Sequence, residues 1–266
     1  MNRSPLPRQA HLDFLDKVRV FELHKAMKFF PPVGLGEKGC RLMELGSGTG
    51  KQAKILSDAG YEVVALDVDD SSYRSVRCFD VIEYDGKSIP FPSLSQDVVF
   101  SSNVLEHVVD LDDVLSETYR VLKNDGICVH LIPTPSCRFW TLFAHYLWFA
   151  RRIFQRVIFS KSNADALDLP RAPTTFKSLI WTLFPPRHGE RGNTVSEIYY
   201  YSTRFWIGKF ESSGFEVVAL ESNHLFYTMA NSFGLYISIL LRQFLSRLFG
   251  GACRIYVLKK KARIDG

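Results

Sequence analysis

The sequence predicts an α/β fold in which helices cover both faces of a parallel β-sheet. Three observations support this prediction. Strand-like and helical segments alternate from residue 40 to about residue 133, a glycine-rich loop follows the first strand, and acidic residues follow the next two strands. The length of 266 residues, 46% of them hydrophobic, suits one such domain with insertions, or one domain with a small cap.

Short apolar and β-branched runs predict the strands, and apolar residues at helical spacing predict the helices between them. The predicted strands are 40–45, 61–66, 79–84, 97–102, 127–132, 215–220 and 253–258. The predicted helices are 51–59, 111–122 and 201–212. Glycine commonly ends a helix because it adopts the left-handed conformation easily, and Gly60, Gly126 and Gly214 stand at or just beyond these three ends.

Charge and cysteine usage disfavour several classes of protein. The net charge of +5 is mild and the basic residues are scattered, which predicts no nucleic-acid partner. The N-terminus lacks the apolar stretch of a secretory signal, and no window reaches the length of a confident transmembrane helix. The five cysteines show no zinc-ligand spacing, so we expect reduced thiols in a cytoplasmic protein. They are Cys40, Cys78, Cys128, Cys137 and Cys253.

The loop Glu44–Gly50 carries the strongest functional signal. Its Gly-x-Gly-x-Gly pattern lies between a predicted strand and a predicted helix, where glycines allow a sharp turn and a close approach to a ligand. Lys51 occupies the sixth position, where dinucleotide-binding enzymes need glycine or alanine to bring helix and strand together. The loop therefore suits a nucleoside ligand that lacks a pyrophosphate.

Two acidic residues follow the next two strands. Asp67, about 20 residues after the loop, can accept hydrogen bonds from both hydroxyls of a ribose, and Asp85 can accept one from an adenine amino group. The alternative is a tight turn at the loop and two carboxylates that only cap helices. A loop and two acidic strand ends in this order favour the ligand site.

These residues resemble the class I S-adenosylmethionine (SAM)-dependent methyltransferases of the ubiquinone/menaquinone-biosynthesis type, also called methyltransferase type 11. The order and spacing hold over about half the chain, with Asn124–Gly126 standing where the family usually has Pro-Gly. The matching stretches are Met43–Gly50, Val64–Asp67, Asp85–Phe91, Asp97–His107 and Tyr119–Gly126.

The resemblance implies a Rossmann-like sheet of seven strands with the last strand antiparallel, helices on both faces, and SAM as the cofactor. It places Glu44 and the glycine loop along the methionine part of SAM, Asp67 and Val68 at the ribose, Asp85 and Gly86 near the adenine, and Ser102 and Asn103 on the floor of the site. The loop residues implied in binding are Gly46, Ser47, Gly48 and Gly50.

Methyl transfer needs a general base only when the acceptor must lose a proton. His107, just past the fourth strand, and His188, in a turn-rich stretch, are the candidate catalytic residues, each against the alternative of no chemical role. Tyr199–Tyr201 either line the acceptor pocket or belong to the core, and His130 is expected to be a satisfied core histidine. No His, Asp or Glu residues gather at ligand spacing, so no metal is predicted.

Two apolar, aromatic segments, 138–160 and 225–249, interrupt the α/β pattern and are interpreted as helical insertions. The first is followed closely by Arg151, Arg152, Arg156 and Lys161, a composition that suits the surface of an anionic membrane. A buried lid and a dimer interface are the alternatives, and the oligomeric state is left open. The membrane and lid interpretations both favour a hydrophobic or lipid-linked acceptor, and the membrane interpretation places the protein peripherally on the cytoplasmic membrane face.

The predicted organisation has four parts. They are an N-terminal helical segment (1–39), the SAM-binding core (40–135), an apolar and basic insertion that caps the acceptor site (136–195), and the rest of the core (196–266) with an apolar insertion at 224–250. The predicted function is SAM-dependent methylation of a small, hydrophobic or lipid-linked acceptor. The alternatives are a catalytically inactive scaffold, which the intact loop and acidic residues disfavour, and a nicotinamide-dependent oxidoreductase, which Lys51 disfavours.

Overall fold

A computed structural model describes residues 6–33, 39–158, 187–228 and 237–262. Seven strands within these ranges form one sheet. They are β1 (Arg41–Leu45), β2 (Glu62–Val68), β3 (Val81–Tyr84), β4 (Gln96–Ser102), β5 (Leu122–Pro133), β6 (Phe215–Ser222) and β7 (Cys253–Lys260). Their order across the sheet is β3-β2-β1-β4-β5-β7-β6. All neighbours are parallel except β7, which is antiparallel to both β5 and β6, and this confirms the predicted seven-stranded sheet.

Seven α-helices accompany the sheet in the described part of the chain. They are α1 (Leu6–Ala26), α2 (Lys51–Asp58), α3 (Leu111–Val121), α4 (Pro135–Ile158), α5 (Glu197–Tyr200), α6 (Thr203–Ser212) and α7 (Ile239–Phe249). Helices α2 and α6 end just before Gly60 and Gly214, as predicted, and these glycines have positive φ values of +101° and +87°. The prediction of one helix over 201–212 is corrected, because the helical residues divide into α5 and α6 around Tyr201 and Ser202.

The fifth strand is longer than predicted. The expected turn at Asn124–Gly126 lies inside β5, where the pairing with β4 moves from Gln96–Leu122 to Val98–Ile127. Three extra residues on β5 therefore bulge out of the sheet while the strand continues on both sides. Gly126 suits this bulge because a Cβ there would lie 2.9 Å from the carbonyl oxygen of Asp97.

The strands at the centre of the sheet are buried on both faces, which explains their continuous apolar runs. Successive residues of a strand point to opposite faces. Met43 and Val99 accordingly pack into a core shared with α3 and α6, whereas Leu42 and Val98 pack into a second core shared with α1 and α2. This two-sided packing holds the carboxyl ends of β1, β2 and β4 at one edge of the sheet.

Each of the two apolar insertions contains a helix, and in the second one residues 225–228 and 237–238 are described but not helical. The first is α4, and the second contributes α7, while 159–186 and 229–236 lie outside the described residues. No helix in the described ranges combines the length and hydropathy needed to cross a membrane. The division into four parts stays a prediction.

Candidate active site

The glycine loop joins β1 to α2 at the carboxyl edge of the sheet. Gly46, Gly48 and Gly50 have φ values of +72°, +54° and +75°, a region that glycine adopts without strain. A Cβ at Gly46 would lie 2.4 Å from the side chain of Val104, and one at Gly50 would lie 2.6 Å from Cβ of Phe79. The loop therefore needs glycine for its own packing, besides any close approach to a ligand.

Two buried carboxylates flank this loop on adjacent strands. Glu44 on β1 is 2% exposed and Asp67 on β2 is 8% exposed. Glu44 Oε2 and Asp67 Oδ2 have no hydrogen-bond partner, and neither has the hydroxyl of Ser47 between them. Burial raises the pKa of Glu44 to about 8. Unpaired buried acceptors cost free energy unless a ligand donates to them, so this row of oxygens fits the ribose and amino groups of a nucleoside ligand such as SAM.

The sequence pattern did not indicate Arg77, which lies beside Asp67. Its Nη2 is 3.9 Å from Asp67 Oδ2, while its Nη1 donates to Glu83 Oε1 at 2.6 Å. The main chain of Val68 donates to the other oxygen, Asp67 Oδ1, at 3.1 Å. The carboxylate is thus oriented by its own strand and by a cation from the β2–β3 loop, where no motif marks the arginine.

Asp85 serves a local turn. Its Oδ1 accepts hydrogen bonds from the main-chain nitrogens of Lys87 and Ser88, both at 2.8 Å, and these bonds lower the pKa of Asp85. Gly86 has a φ of +77°, as such a turn requires. The contact of Asp85 and Gly86 with adenine stays a prediction.

The end of β4 carries Ser102 and Asn103, the residues predicted to form the floor of the site. Asn103 has a φ of +57°, and its Nδ2 donates to the hydroxyl of Ser102 at 3.3 Å. The thiol of Cys253 on β7 donates to Asn103 Oδ1 at 3.3 Å. Ser102 and Asn103 therefore stand beside the glycine loop, because Val104 immediately after them packs on Gly46.

A buried polar network connects α1 to this floor. Glu22 is fully buried; its Oε1 accepts from Asn223 and from the hydroxyl of Tyr227, both at 2.7 Å, and its Oε2 pairs with Arg19 at 2.7 Å. Tyr227 in turn is 2.9 Å from the thiol of Cys253. Helix α1 thus closes over the carboxyl edge of the sheet, a role that no sequence motif indicated.

The fold brings the two candidate catalytic histidines together. The rings of His107 and His188 meet edge to face with centroids 4.7 Å apart. The main chain of His188 donates to Glu197 Oε1 at 2.8 Å, and Glu197 Oε2 forms a buried ion pair with Arg138 of α4 at 2.8 Å. His188 is therefore held by a buried pair that joins the first insertion to α5.

The pKa values of both histidines are lowered from the ordinary value. Burial lowers the pKa of His107, and it lowers the pKa of His188 to about 4, with His107 and Arg138 adding to the effect. General bases work best with a pKa near the pH of the reaction, so a pKa lowered to about 4 disfavours His188 as the base. The catalytic role of either residue stays a prediction.

Glu106 is a third member of this group, and sequence reasoning missed it. It is 2% exposed, neither carboxylate oxygen has a hydrogen-bond partner, and burial raises its pKa to about 8. One ligand atom from each of Glu106, His107 and His188 lies within 4.8 Å of the other two. The prediction of no metal considered only residues that are close in the sequence. The fold brings His188 next to Glu106 and His107, which are distant from it in the sequence, so that reasoning does not apply to this group.

The remaining polar and aromatic candidates divide between core and surface. Tyr201 is 2% exposed and donates to Glu197 Oε1 at 3.3 Å, whereas Tyr199 is 55% exposed. His130 is fully buried, as predicted, and its Nδ1 lies 2.8 Å from the hydroxyl of Ser101. Its Nε2 has no partner, so the prediction of a fully satisfied histidine is wrong in that respect.

The strand order, the glycine loop and the two buried carboxylates form an α/β domain with a candidate nucleoside site at the carboxyl edge of its sheet. Residues 43–130 match the methyltransferase domain family. This part of the chain is therefore similar to methyltransferase domains, in agreement with the resemblance that the sequence motifs carry.

Two curated relatives agree with this assignment. A protein of Mycolicibacterium smegmatis named "Probable S-adenosylmethionine-dependent methyltransferase" is 33% identical over 102 residues, 37% of this chain and 39% of that protein. A ubiquinone/menaquinone biosynthesis C-methyltransferase of Xanthomonas campestris is 30% identical over 128 residues, 43% of this chain and 51% of that protein. The chain thus spans about half or less of the lengths of these relatives.

Solved structures share the fold over nearly the whole chain. A chain from the complex of the Haloferax volcanii Trm112 methyltransferase activator with a methyltransferase aligns with a TM-score of 0.56 and 16% identity, over 97% of both chains. A SAM-dependent methyltransferase of Mesorhizobium loti aligns with a TM-score of 0.53 and 17% identity, over 90% of this chain and 98% of that one. At these identities the likeness establishes the fold.

Proposed function

We propose that the protein transfers the methyl group of SAM to a small acceptor with a large apolar part. The observation that carries the catalytic half of this proposal is the pair of buried carboxylate oxygens without a hydrogen-bond partner, Glu44 Oε2 and Asp67 Oδ2, beside the glycine loop. A scaffold without turnover would have no use for these costly groups. The acceptor, the cytoplasmic location and the absence of a nucleic-acid partner stay predictions.

Bound SAM supplies an electrophilic methyl group on a positively charged sulfur that leaves as a neutral sulfide. The chain's task is to hold donor and acceptor in line and to exclude water. Asp67 would hold the ribose through Oδ2, which accepts no hydrogen bond from the protein, and the glycine loop and Glu44 would lie along the methionine part. Asn103 would form the floor, and the network around Glu22 would keep α1 closed above the site.

Calorimetric titration with S-adenosylhomocysteine tests the cofactor site. Asp67→Ala removes acceptors for two ribose hydroxyls, and because a hydrogen bond to a charged group contributes about 1.5–3 kcal/mol, we expect binding to weaken about 10- to 100-fold. Asp70→Ala, an exposed carboxylate three residues further on, is the matched control and should bind like the wild type. Tighter binding of NAD than of S-adenosylhomocysteine by the wild type would overturn the proposal.

The apolar half of the proposal rests on two helix faces. On α4, Phe139, Phe143 and Leu147 are each 52% exposed, and on α7 Leu240 and Leu248 are 78% and 63% exposed. In each helix these residues are spaced by multiples of four, so they lie on one face. Exposed apolar faces of this kind are uncommon in soluble monomers and mark interaction surfaces.

The two faces are neighbours. Trp140 of α4 stacks edge to face on Phe249 of α7 with ring centroids 4.8 Å apart, and its indole nitrogen donates to the Phe249 carbonyl oxygen at 3.0 Å. The two helices carry no acidic residue, and besides the buried Arg138 and Arg242 they carry four arginines. These are Arg151, Arg152 and Arg156 on α4 and the exposed Arg247 on α7. An apolar surface with basic residues suits an anionic lipid surface, which is where a lipid-linked or quinone-type acceptor resides.

Flotation with vesicles tests this half. We expect binding to vesicles that contain phosphatidylglycerol and little binding to pure phosphatidylcholine. The triple change Leu240→Ser, Phe244→Ser and Leu248→Ser should abolish flotation, whereas Val76→Ser, an equally exposed apolar residue in the β2–β3 loop, should not. Absence of wild-type flotation, with normal S-adenosylhomocysteine binding, would remove the membrane part and leave the methyltransferase assignment intact. Label transfer from methyl-labelled SAM into the organic rather than the aqueous fraction of a cell extract would identify the acceptor class.

A further inference from the structure

The group formed by Glu106, His107 and His188 has the composition of a metal site. One ligand atom from each residue lies within 4.8 Å of the other two, and Glu106 Oε1 is 3.9 Å from His107 Nε2. Two imidazoles and one carboxylate are a ligand set that first-row transition metal ions occupy in enzymes, with further positions left open.

The carboxylate of Glu106 supplies the independent reason to expect a cation. Both oxygens are without a hydrogen-bond partner and the residue is 2% exposed. An isolated buried carboxylate is strongly disfavoured. The two nearest arginines serve other groups, since Arg19 pairs with Glu22, and Arg191 donates to the carbonyl oxygens of Leu105 and Val108. A metal ion would satisfy both oxygens and the histidines together.

We propose that Glu106, His107 and His188 bind one divalent transition metal ion of the zinc type. Bonds of about 2.0–2.2 Å to such an ion place neighbouring ligand atoms roughly 3–3.5 Å apart, so the three groups must move together by roughly 1–1.5 Å. His107 has room for this movement because its side chain is 42% exposed. Imidazole ligands favour zinc over magnesium, which prefers oxygen ligands.

The main chain around the site is already fixed. The Glu190 nitrogen donates to the Glu106 carbonyl oxygen at 2.9 Å, and Glu197 holds the main chain of His188. Gly189 has no room for a side chain, since a Cβ would lie 2.7 Å from the Glu106 carbonyl oxygen. The loop that carries His188 is thus locked onto the turn that carries Glu106 and His107, and Glu197 acts as a positioning residue.

The catalytic role inferred for this ion rests on the proposed function, methyl transfer from SAM. Glu106 and His107 come shortly after Asn103 in the chain, and His188 packs on His107, so the ion would stand beside the floor of the SAM site, on its acceptor side. An acceptor hydroxyl at its open position would lose its proton to solvent water more readily, because a bound cation lowers the pKa of an oxygen ligand. The O–C bond then forms as the C–S bond of the donor breaks, without a histidine base. The inference therefore favours an acceptor that is methylated on a hydroxyl oxygen.

Metal titration tests the site independently of catalysis. All samples carry Cys78→Ser, which removes an exposed thiol that could bind zinc. Each sample is first treated with a chelator and is then titrated calorimetrically with Zn²⁺ and, separately, with Mg²⁺. We expect one Zn²⁺ per chain and no comparable Mg²⁺ binding. Glu106→Gln and His188→Ala should each weaken Zn²⁺ binding at least tenfold, with cobalt absorption bands lost in parallel.

His224→Ala is the matched control, because His224 also has a carboxylate nearby, Glu221 at 3.8 Å, but is exposed and belongs to no cluster. Its Zn²⁺ affinity should equal that of the wild type. Absence of Zn²⁺ binding, or equal binding by Glu106→Gln and His188→Ala, would overturn the proposal. S-adenosylhomocysteine titration of the same samples separates this outcome from a failure of the cofactor assignment, since the two ligands use different residues.

Discussion

The cofactor side and the acceptor side of the candidate site are built in different ways. The cofactor side is formed at the carboxyl ends of the consecutive strands β1 and β2. Glu44, the glycine loop and Asp67 are therefore close to one another in the sequence as well as in the structure. The acceptor side joins Glu106 and His107 to His188, and its support comes from Arg138 and Glu197. A local motif suffices for the first side, whereas the second depends on the packing of an insertion.

This difference has energetic consequences. The cofactor side is sensitive to backbone conformation, because its glycines adopt positive φ. The acceptor side adds a buried ion pair, Arg138–Glu197, to a buried carboxylate of the kind that the cofactor side also contains. Substitutions of the two kinds should therefore separate the sides.

The largest effect is expected for Glu197→Gln on the acceptor side. The substitution keeps the size of the side chain but leaves the guanidinium of Arg138 buried without its counter-ion, and breaking such a pair costs about 3–5 kcal/mol. Urea unfolding measures the loss. Glu190→Gln, which breaks the exposed pair with Arg187, should cost at most about 1 kcal/mol. If both variants lost the same free energy of unfolding, the buried ion pair would contribute no more to stability than the exposed one.

The next effect is expected for Gly46→Ala on the cofactor side. The positive φ costs about 1–2 kcal/mol in alanine, and displacing Val104 adds about 1–3 kcal/mol. Binding of S-adenosylhomocysteine should fall as well. Gly208→Ala is the control: it lies in α6 with nothing within 4 Å of the added Cβ, so alanine there should stabilise the protein by about 0.5–1 kcal/mol. A destabilising Gly208→Ala would contradict the local geometry of α6.

A smaller, pH-dependent effect is expected for Glu44→Gln. Burial raises the pKa of Glu44 from 4.5 to about 8, so between these pH values the folded protein holds a proton that the unfolded chain has released. Stability of the ligand-free protein should therefore fall as the pH rises through this range, and the glutamine variant should lack this part of the decrease. Melting temperatures measured from pH 5 to pH 9 test this, because a change of 1 kcal/mol in the free energy of unfolding shifts the melting temperature by roughly 2–4 °C. If the melting temperature of the glutamine variant fell with pH as steeply as that of the wild type, the decrease would come from groups other than Glu44.

Sequence patterns were informative where neighbouring strands deliver their residues to one edge. The seven strands, the loop and Asp67 followed from hydrophobic runs, glycines and acidic strand ends. The contact between His107 and His188 did not, because it crosses 81 positions and depends on α4 and α5. Glu22 was missed for the same reason, since its partners Asn223 and Tyr227 lie some 200 positions away. Glu106 was missed because a carboxylate in a short turn is usually solvated, and its burial arises only from tertiary packing.

The most direct test of the two-sided account is one calorimetric comparison with S-adenosylhomocysteine. The double variant Glu106→Gln, His188→Ala alters the acceptor side alone, and Asp67→Ala alters the cofactor side alone. We expect the double variant to retain the wild-type Kd within about twofold while Asp67→Ala weakens binding about 10- to 100-fold. A double variant that binds as weakly as Asp67→Ala would show that the two sides form a single cofactor site and would contradict the account.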